Sequence, residues 1–456
     1  MKMWSILYYL RNDISVLVRN MEVRGLSAEP VYRARDLDRE IRKMGMELDE
    51  LRHRRNLINK AIPRADPGER EKLINEAKQL SRHIAELEAK YNSLKQELNN
   101  ILLNIPNILH PDVPIGADES GNRPLRYWGR PKVMRRHLDQ FLREVEGFDV
   151  DYEVIDYEVT GHADYGDKTH LTDTARAAKI AGSRFYYMLG DLVYLQMALI
   201  NYATDFLTSK GYIPVYPPPL MNRRAYMGVT SLSDFEDAIY KLEGEDLYLI
   251  ATSEHPMAAM YMNEVLEKDE LPIKLMGFSP CFRKEAGAHG KDTKGIFRVH
   301  NFDKIEQFIF CHPDESWEYH EEIIRNAEEL FRGLEIPYRV VDICTGDIGV
   351  VAARKYDLEA WMPAQGKFRE MVSASNCTDW QSYRLNIRYA LKRGHPTEGY
   401  VHTLNSTGLA IQRTITAIIE NHQDADGKVR IPSVLRKYLS VFDGAPRDYL
   451  RPVELP

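Results

Sequence analysis

The sequence predicts an α+β protein, in which an N-terminal antiparallel α-helical coiled-coil arm precedes a domain with a mainly antiparallel sheet flanked by helices. Three observations carry this expectation. Residues 1 to about 110 are almost free of strand-like runs and rich in Lys, Arg, Glu and Leu at helical spacing. A stretch punctuated by Pro106, Pro111, Pro114, Gly116, Gly121 and Pro124 then reads as a linker, after which strand-like and helical runs alternate irregularly. The composition is that of a folded polypeptide: 456 residues, 44% hydrophobic and 28% charged, with a mean hydropathy of -0.44 and length for about two to three domains. The expected division is 1–110 and 111–456.

In the first long helix Leu37, Ile41, Met44, Leu48, Leu51, Ile58 and Ile62 step by fours and threes, Arg55 takes one core place, and Pro63 ends the run. In the second, Leu73, Ala77, Leu80, Ile84, Leu87, Tyr91, Leu94, Leu98 and Ile101 keep the alternation. Only residues 63 to 68 separate them, so the two apolar stripes are expected to meet as the seam of a hairpin. At 1.5 Å per residue the second helix would be roughly 50 Å long, enough to project as an arm. Near its tip, Arg52, Arg54, Arg55, Lys60 and Arg64 follow one another with no acidic residue among them. Two readings stay open for this run: a solvated helix face, or a surface that seeks phosphate.

Several classes are disfavoured. The net charge is -7, from 61 basic and 68 acidic residues, which argues against non-specific coating of nucleic acid. The apolar run at residues 6 to 10 is too short to span a bilayer, and neither a signal peptide nor an anchor is expected. Cys281, Cys311, Cys344 and Cys377 form no C-x-x-C pair, so a disulfide framework or a common zinc knuckle is not expected, and a reducing cytoplasm fits.

Beyond the linker, residues 190 to 210 read as an amphipathic helix ended by Gly211, followed by a β-like run over 212–216 that Pro217, Pro218 and Pro219 stop. Runs at 247–250, 273–282, 298–310, 338–343 and 368–373 are expected to be strands of one large sheet. The most informative stretch is 273–310, two strands joined by a loop over 286–296 holding Gly287, Gly290 and Gly295. Alternation of side chains would put Arg298, Phe302 and Glu306 on one face of the second strand, with Arg283 and Glu285 sharing a face near the end of the first. Such a set is either a group of structural salt bridges or a ligand site. Desolvating so many charges for stability alone is costly, which favours arginines clamping phosphate and a ring stacking on a base.

A second group lies over 405–423, where a polar loop of Asn405, Ser406, Thr407 and Gly408 is expected to run into a helix. There Arg413 has Leu409 and Ala417 four residues to either side and needs an anion, whether Glu420, another internal carboxylate or a ligand phosphate. Glu370 and Ser373 offer hard oxygen donors suited to Mg²⁺ with nucleotide phosphates, or an ordinary edge-strand salt bridge. No P-loop, dinucleotide-binding glycine pattern or nucleophile elbow is present.

The run Phe282 Arg283 Lys284 Glu285 Ala286 Gly287, followed by Arg298 Val299 His300 Asn301 Phe302 Asp303 Lys304 Ile305 Glu306, resembles motif 2 of the class II aminoacyl-tRNA synthetases, in the form found in the seryl-tRNA synthetase family. Further matches in order are Gly182 to Phe185; Gly211 Tyr212 leading to Pro217 Pro218 (motif 1); Thr252 Ser253 Glu254; Ser375 to Asp379; and His402 through Arg413 Thr414 (motif 3). The resemblance covers nearly the whole chain. It implies a class II antiparallel sheet, ATP and Mg²⁺ as cofactors with no zinc expected, and a cytoplasmic homodimer formed through motif 1. It also implies L-serine and tRNA(Ser) as partners, with selenocysteine tRNA an added candidate, and no membrane.

By the same resemblance Arg283 and Arg413 are expected to be catalytic, on the α- and γ-phosphates. The expected ATP set adds Lys284, Glu285, Arg298, Val299, Phe302, Glu370, Met371, Val372 and Ser373, with Glu370 and Ser373 also on the metal. Thr252, Ser253, Glu254, Arg283, Glu306, Asn405 and Thr407 are expected around serine, and Arg52, Arg54, Arg55, Lys60 and Arg64 on tRNA. Three stretches depart from the usual pattern: Ser406 Thr407 with Gln412 in motif 3, Glu370 Met371 Val372 Ser373, and His300 Asn301 Phe302. The stretch 133–157 is longer than the family leads one to expect. A ligase loading a carrier protein would lack the arm, and a catalytically dead tRNA-binding paralogue would not keep Arg283, Glu285, Glu306, Glu370 and Arg413 together.

Overall fold

The computed structural model describes residues 5–231, 238–285, 292 and 294–454. Ala286, Gly287 and Gly290 of the expected glycine loop lie outside them. The chain forms two compact units that divide between Ile108 and Leu109.

The first unit is helical. Short helices α1 (Ile6–Asn12) and α2 (Ile14–Val23) precede the long α3 (Glu29–Ala61) and α4 (Pro67–Asn104). Asp66 caps α4 by accepting the Gly68 and Glu69 N–H groups at 3.2 and 3.0 Å, with Pro67 at the first helical position. Ion pairs Arg33–Glu97, Glu40–Lys90 and Arg54–Glu76 rise along α3 as they fall along α4, which fixes the antiparallel hairpin. Helix α3 begins earlier than the periodic run from Leu37 implied, because Val31 and Ala34 extend its buried stripe.

The basic run at the hairpin's far end is less one-signed in space than in sequence. Arg52 pairs with Asp49 and Glu88, and Arg54 with Glu76, carboxylates supplied by the preceding turn and by the other helix. Arg55, Lys60 and Arg64 join no ion pair among the described residues.

The second unit is built on an eight-stranded sheet among the described residues. Its strands are β1 (Arg123–Trp128), β4 (Ile213–Val215), β5 (Ile273–Phe282), β6 (Asn301–Cys311), β7 (Tyr338–Asp342), β8 (Arg354–Met362), β9 (Lys367–Thr378) and β10 (His402–Ala410). They lie in the order β1-β7-β8-β9-β10-β6-β5-β4, antiparallel throughout except for the β5–β4 pair. A separate short parallel pair is formed by β2 (Lys132–Met134) and β3 (Glu153–Ile155), which flank α5 (Leu138–Glu144). The helices that matter below are α6 (His162–Thr169), α7 (Asp191–Ser209), α8 (Ser316–Gly333) and α9 (Ile411–Asn421).

Side-chain alternation sorts the sheet into two faces. Tyr356, Leu358 and Ala360 of β8, Val372 and Ala374 of β9, Leu404 of β10 and Ile305 and Ile309 of β6 join α7, α8 and α9 in one buried core. The polar residues between them face the other way, toward the cavity described below and a recess that adjoins it. No helix among the described residues is long and apolar enough to cross a membrane.

Four expectations are corrected. Residues Leu247–Leu249 pair with Leu220–Asn222 rather than joining the large sheet. The strand expected from 298 begins at Asn301, so Arg298 stands on the loop before it. The whole of β8 escaped prediction, although Lys355, Asp357 and Glu359 alternate with apolar residues. Asn405 to Gly408 form no loop but the interior of β10, flanked by β9 and β6, which satisfy its backbone while its polar side chains reach the cavity.

The unexplained stretch 133–157 also has a physical account. Val133, Phe141 and Val145 pack with Trp361 and Phe368 in a small core of their own, and the Trp361 indole donates to the Lys132 carbonyl at 2.8 Å. The β2–α5–β3 unit thus covers the end of the β8–β9 hairpin.

Candidate active site

One face of the sheet forms the floor of a cavity of about 390 Å³. Arg283 follows the last residue of β5, and its N–H extends the ladder by donating to the His300 carbonyl at 2.9 Å. Its side chain is aimed by Nε, which donates to the Ala251 carbonyl at 3.2 Å, and its guanidinium lies 5.2 Å from the centre of the Phe302 ring. Glu285 adopts φ 52° and accepts Arg298 Nε at 2.5 Å. The loop carrying Arg298 is tied down by Arg184, which donates to the carbonyls of Asp292 and Arg298, both at 3.2 Å.

Glu370 and Ser373 are three residues apart, a spacing that would put them on opposite faces of a regular strand. A β-bulge resolves this: Leu358 opposes Val372, but Glu359 opposes Glu370, leaving Met371 as the extra residue. Both the carboxylate and the hydroxyl therefore line the cavity. Arg413, in the first turn of α9, donates to the Glu370 carbonyl at 3.0 Å and lies 3.4 Å from its carboxylate. The expectation that Arg413 sits among apolar neighbours is corrected. It turns toward β9 and the Phe297 ring, while Glu420 is engaged by His162 and the Ala364 N–H.

A second group of charges borders the same cavity. Glu306 and Lys304 form a buried ion pair at 2.5 Å on β6. Glu254 accepts Gln381 Nε2 at 2.9 Å, and Gln381 in turn accepts the Thr403 hydroxyl at 2.7 Å. Thr252, Asn405 and Thr407 complete this wall, with Asn405 donating to Cys377 Sγ at 3.4 Å.

Electrostatics separates the two groups. Burial, reinforced by Glu306, pushes the Glu254 carboxyl up to about 7. Burial also raises Glu306, against the pull of Lys304 and Arg283. At Glu370 burial opposes ionisation, but Arg413, then Lys355, Arg283 and Arg298 outweigh it and hold the carboxyl below its ordinary value. Burial is the largest single influence there, and it takes the four cations together to outweigh it. Arg283 is felt by the carboxylates of both groups.

Comparison with known proteins decides the family. A model described as the seryl-tRNA synthetase N-terminal domain matches residues 7–109, and one described as the tRNA synthetase class II core domain (G, H, P, S and T) matches 238–422. The serine–tRNA ligase of Hyperthermus butylicus is 56% identical over 455 residues, covering 99% of each chain. The chain belongs to the seryl-tRNA synthetase family. A crystal structure of seryl-tRNA synthetase from Pyrococcus horikoshii complexed with ATP is 50% identical, with a TM-score of 0.91, covering 98% of this chain and 99% of that one. The cytoplasmic serine–tRNA ligase of Naegleria fowleri in complex with AMP is 36% identical, with a TM-score of 0.83 and 99% of each chain covered.

Most residues expected on ATP, serine or the metal meet in this cavity: Arg283, Glu285, Arg298, Val299 and Phe302 of motif 2, Asn405, Thr407 and Arg413 of motif 3, and Thr252, Glu254, Glu306, Glu370, Met371 and Ser373. Three do not line it. Ser253 is buried with its hydroxyl toward the Gly277 carbonyl, Val372 points into the core, and Lys284 is exposed beside the Tyr240 ring. The motif 3 departures also find places. Thr407 lines the cavity opposite Glu306, and Gln412 accepts the Asp303 N–H at 2.8 Å while donating to Gln196 at 3.1 Å, bridging β6 to α7. Lys304 was missed by sequence reasoning although it shares parity with Phe302 and Glu306. Gln381, reached only through tertiary folding, left no such signal.

Proposed function

We propose that the chain is an ATP-dependent serine–tRNA ligase, which activates L-serine as seryl-adenylate and passes the seryl group to the 3′ end of tRNA(Ser). The observation that carries this reading is one cavity lined by a guanidinium-rich group, with Arg298 and Arg413, and a carboxylate-bearing group, with Glu254, Glu306 and Lys304, with Arg283 acting on the carboxylates of both. The first suits a triphosphate, the second an amino acid with a cationic amine and a hydroxyl. The ATP complex of the Pyrococcus relative supports the nucleotide.

In this reading the serine carboxylate attacks the α-phosphorus in line and pyrophosphate leaves, so the protein supplies alignment and charge rather than a nucleophile. Arg283 takes the α-phosphate, Phe302 stacks on adenine, Arg413 takes the γ-phosphate, and Glu285 and Val299 flank the nucleotide. Glu254 and Glu306 hold the serine ammonium, and Thr252, Asn405 and Thr407 surround its hydroxyl. Alanine leaves those buried polar groups unpaired, which costs on the order of 10⁴ to 10⁵ in discrimination when a site is built for a hydroxyl. Threonine is excluded by pocket size.

The residues also fit Mg²⁺. Glu370 is held ionised by its arginine neighbours and shares a face with the Ser373 hydroxyl, both hard oxygen donors. When bound, the ion neutralises developing phosphate charge. For tRNA, Arg55, Lys60 and Arg64 at the hairpin end join no ion pair among the described residues. Dimerisation through motif 1 is supported by the edge strand β4, where Ile213 is 57% and neighbouring Tyr216 71% exposed. A cytoplasmic location completes the reading.

The test is charging of total tRNA with labelled serine, with threonine and alanine as competitors. Serine-specific, ATP-dependent charging is expected. Serine-dependent pyrophosphate exchange without charging would indicate a carrier ligase, and absence of both would overturn the reading.

A further inference from the structure

Asp357 stands opposite Ser373 across the β8–β9 pair, one pleat from the Glu359–Glu370 pair, and lines a recess that adjoins the cavity and shares Glu370, Arg298 and Arg413 with it. It is only 7% exposed, and its Oδ1 has no hydrogen-bond partner among the described residues. The Ser373 hydroxyl lies within reach of the same carboxyl, which leaves Oδ1 as the oxygen with nothing to accept from, a costly state that its neighbours worsen. Glu370 and Glu359 add negative charge beside it. The arginines that answer those two are turned away, since Arg339 donates to Glu359 at 2.6 Å and Arg413 sits against Glu370. Lys355 offers partial compensation, but its Nζ donates to the Asp347 carbonyl at 3.2 Å. Among the described residues no group of three or more His, Cys, Asp or Glu side chains is disposed to hold a metal without help. A site here must be completed by a hydroxyl and by oxygens that a ligand brings.

We propose that Asp357 is a further protein oxygen donor to the divalent cation that accompanies the ATP phosphates, acting with Glu370 and Ser373. This deepens the reading of the site as a nucleotide-and-cation site and rests on it. Mg²⁺ and Mn²⁺ take six oxygen ligands, so a carboxylate, a hydroxyl and phosphate oxygens leave a position that Oδ1 is placed to fill, directly or through one water. The bulge at Met371 is what makes this possible, because it turns Glu370 onto the face that Asp357 and Ser373 already share. The orphaned oxygen is then a ligand kept waiting rather than a packing fault.

The experiment uses the full-length chain with Mn²⁺ and the non-hydrolysable α,β-methylene ATP, counting free Mn²⁺ by its paramagnetic resonance signal. Wild type, Asp357→Asn and Glu370→Gln are compared, with melting midpoints and metal-free analogue affinity measured alongside. Asp357→Asn is expected to weaken Mn²⁺ binding to the analogue complex tenfold or more, to leave metal-free analogue affinity unchanged, and not to lower the melting midpoint, since it removes a buried negative charge that Glu370 and Glu359 oppose. Wild-type Mn²⁺ affinity in Asp357→Asn with a loss in Glu370→Gln would overturn the role of Asp357 and leave the cation reading standing. Wild-type affinity in both variants would overturn both. A loss of metal-free analogue affinity in Asp357→Asn would likewise overturn the proposal, by showing a structural role.

Discussion

Glu254 and Glu370 line one cavity, yet their carboxyls are driven in opposite directions. Around Glu254, burial and Glu306 outweigh the nearby cations, and the carboxyl rises to about 7. Around Glu370, Arg413, Lys355, Arg283 and Arg298 overcome burial, and the carboxyl falls. The difference teaches what each half lacks. The Glu254 half is short of positive charge and is completed by an amine. The Glu370 half carries surplus guanidinium and is completed by phosphate.

The severest way to break this comparison is to remove the residue both halves share. Arg283→Ala should lower serine-dependent pyrophosphate exchange on the order of 10³-fold, the loss seen when a preorganised donor to developing charge is deleted. Its circular dichroism should match wild type, because Arg283 makes one side-chain hydrogen bond to the backbone and packs on Phe302. Near-normal exchange would remove Arg283 from the phosphate.

A pH series sharpens the comparison. Serine's ammonium binds the ionised form of Glu254, so binding lowers a carboxyl pKa that starts at about 7 in the free protein. Affinity is therefore full above that value and is lost as pH falls through it. The KM for serine should rise by up to about tenfold per pH unit below neutrality, while Glu254→Gln should give a raised and flatter profile. A wild-type KM indifferent to pH would contradict the assignment.

The smallest effect concerns the helical unit, where charge is already half compensated. Changing Arg55, Lys60 and Arg64 together to Ala should lower the log–log salt slope of tRNA binding by about 2 to 3. Arg52 and Arg54, already answered by Asp49, Glu88 and Glu76, should change it less when both are replaced. Equal slopes for the two variants would show that those ion pairs open on binding.

The same contrast governs how much was legible in the sequence. The hairpin was plain because Leu48, Ile58, Ile84 and Leu98 report one another at helical spacing, a local signal. So was the β5–β6 hairpin, where parity placed Phe302 and Glu306 on one face. Strand β8 was missed because Lys355, Asp357 and Glu359 charge every place on one of its faces, and β10 because Asn405, Ser406 and Thr407 read as a loop. Polar residues in a central strand are unusual unless a cavity awaits them, and the cavity is a tertiary fact. Pairing partners were invisible for the same reason: nothing near Arg52 announces Glu88, and nothing near Glu254 announces Gln381.

Met371 carries a consequence for anyone editing this strand. Because the extra residue resets the phase of β9, the stretch before it and the stretch after it obey different rules for inside and outside. Flattening the bulge with Met371 kept would act as a frameshift in three dimensions: Glu370 would rotate toward the helices while Ser373 kept its place, whereas deleting Met371 would leave the two residues two apart and on one face of a regular strand. Grafting the pair onto a straight strand would fail in the same way. The three-residue interval between acid and hydroxyl is thus an instruction about backbone shape, and the irregularity has to travel with it.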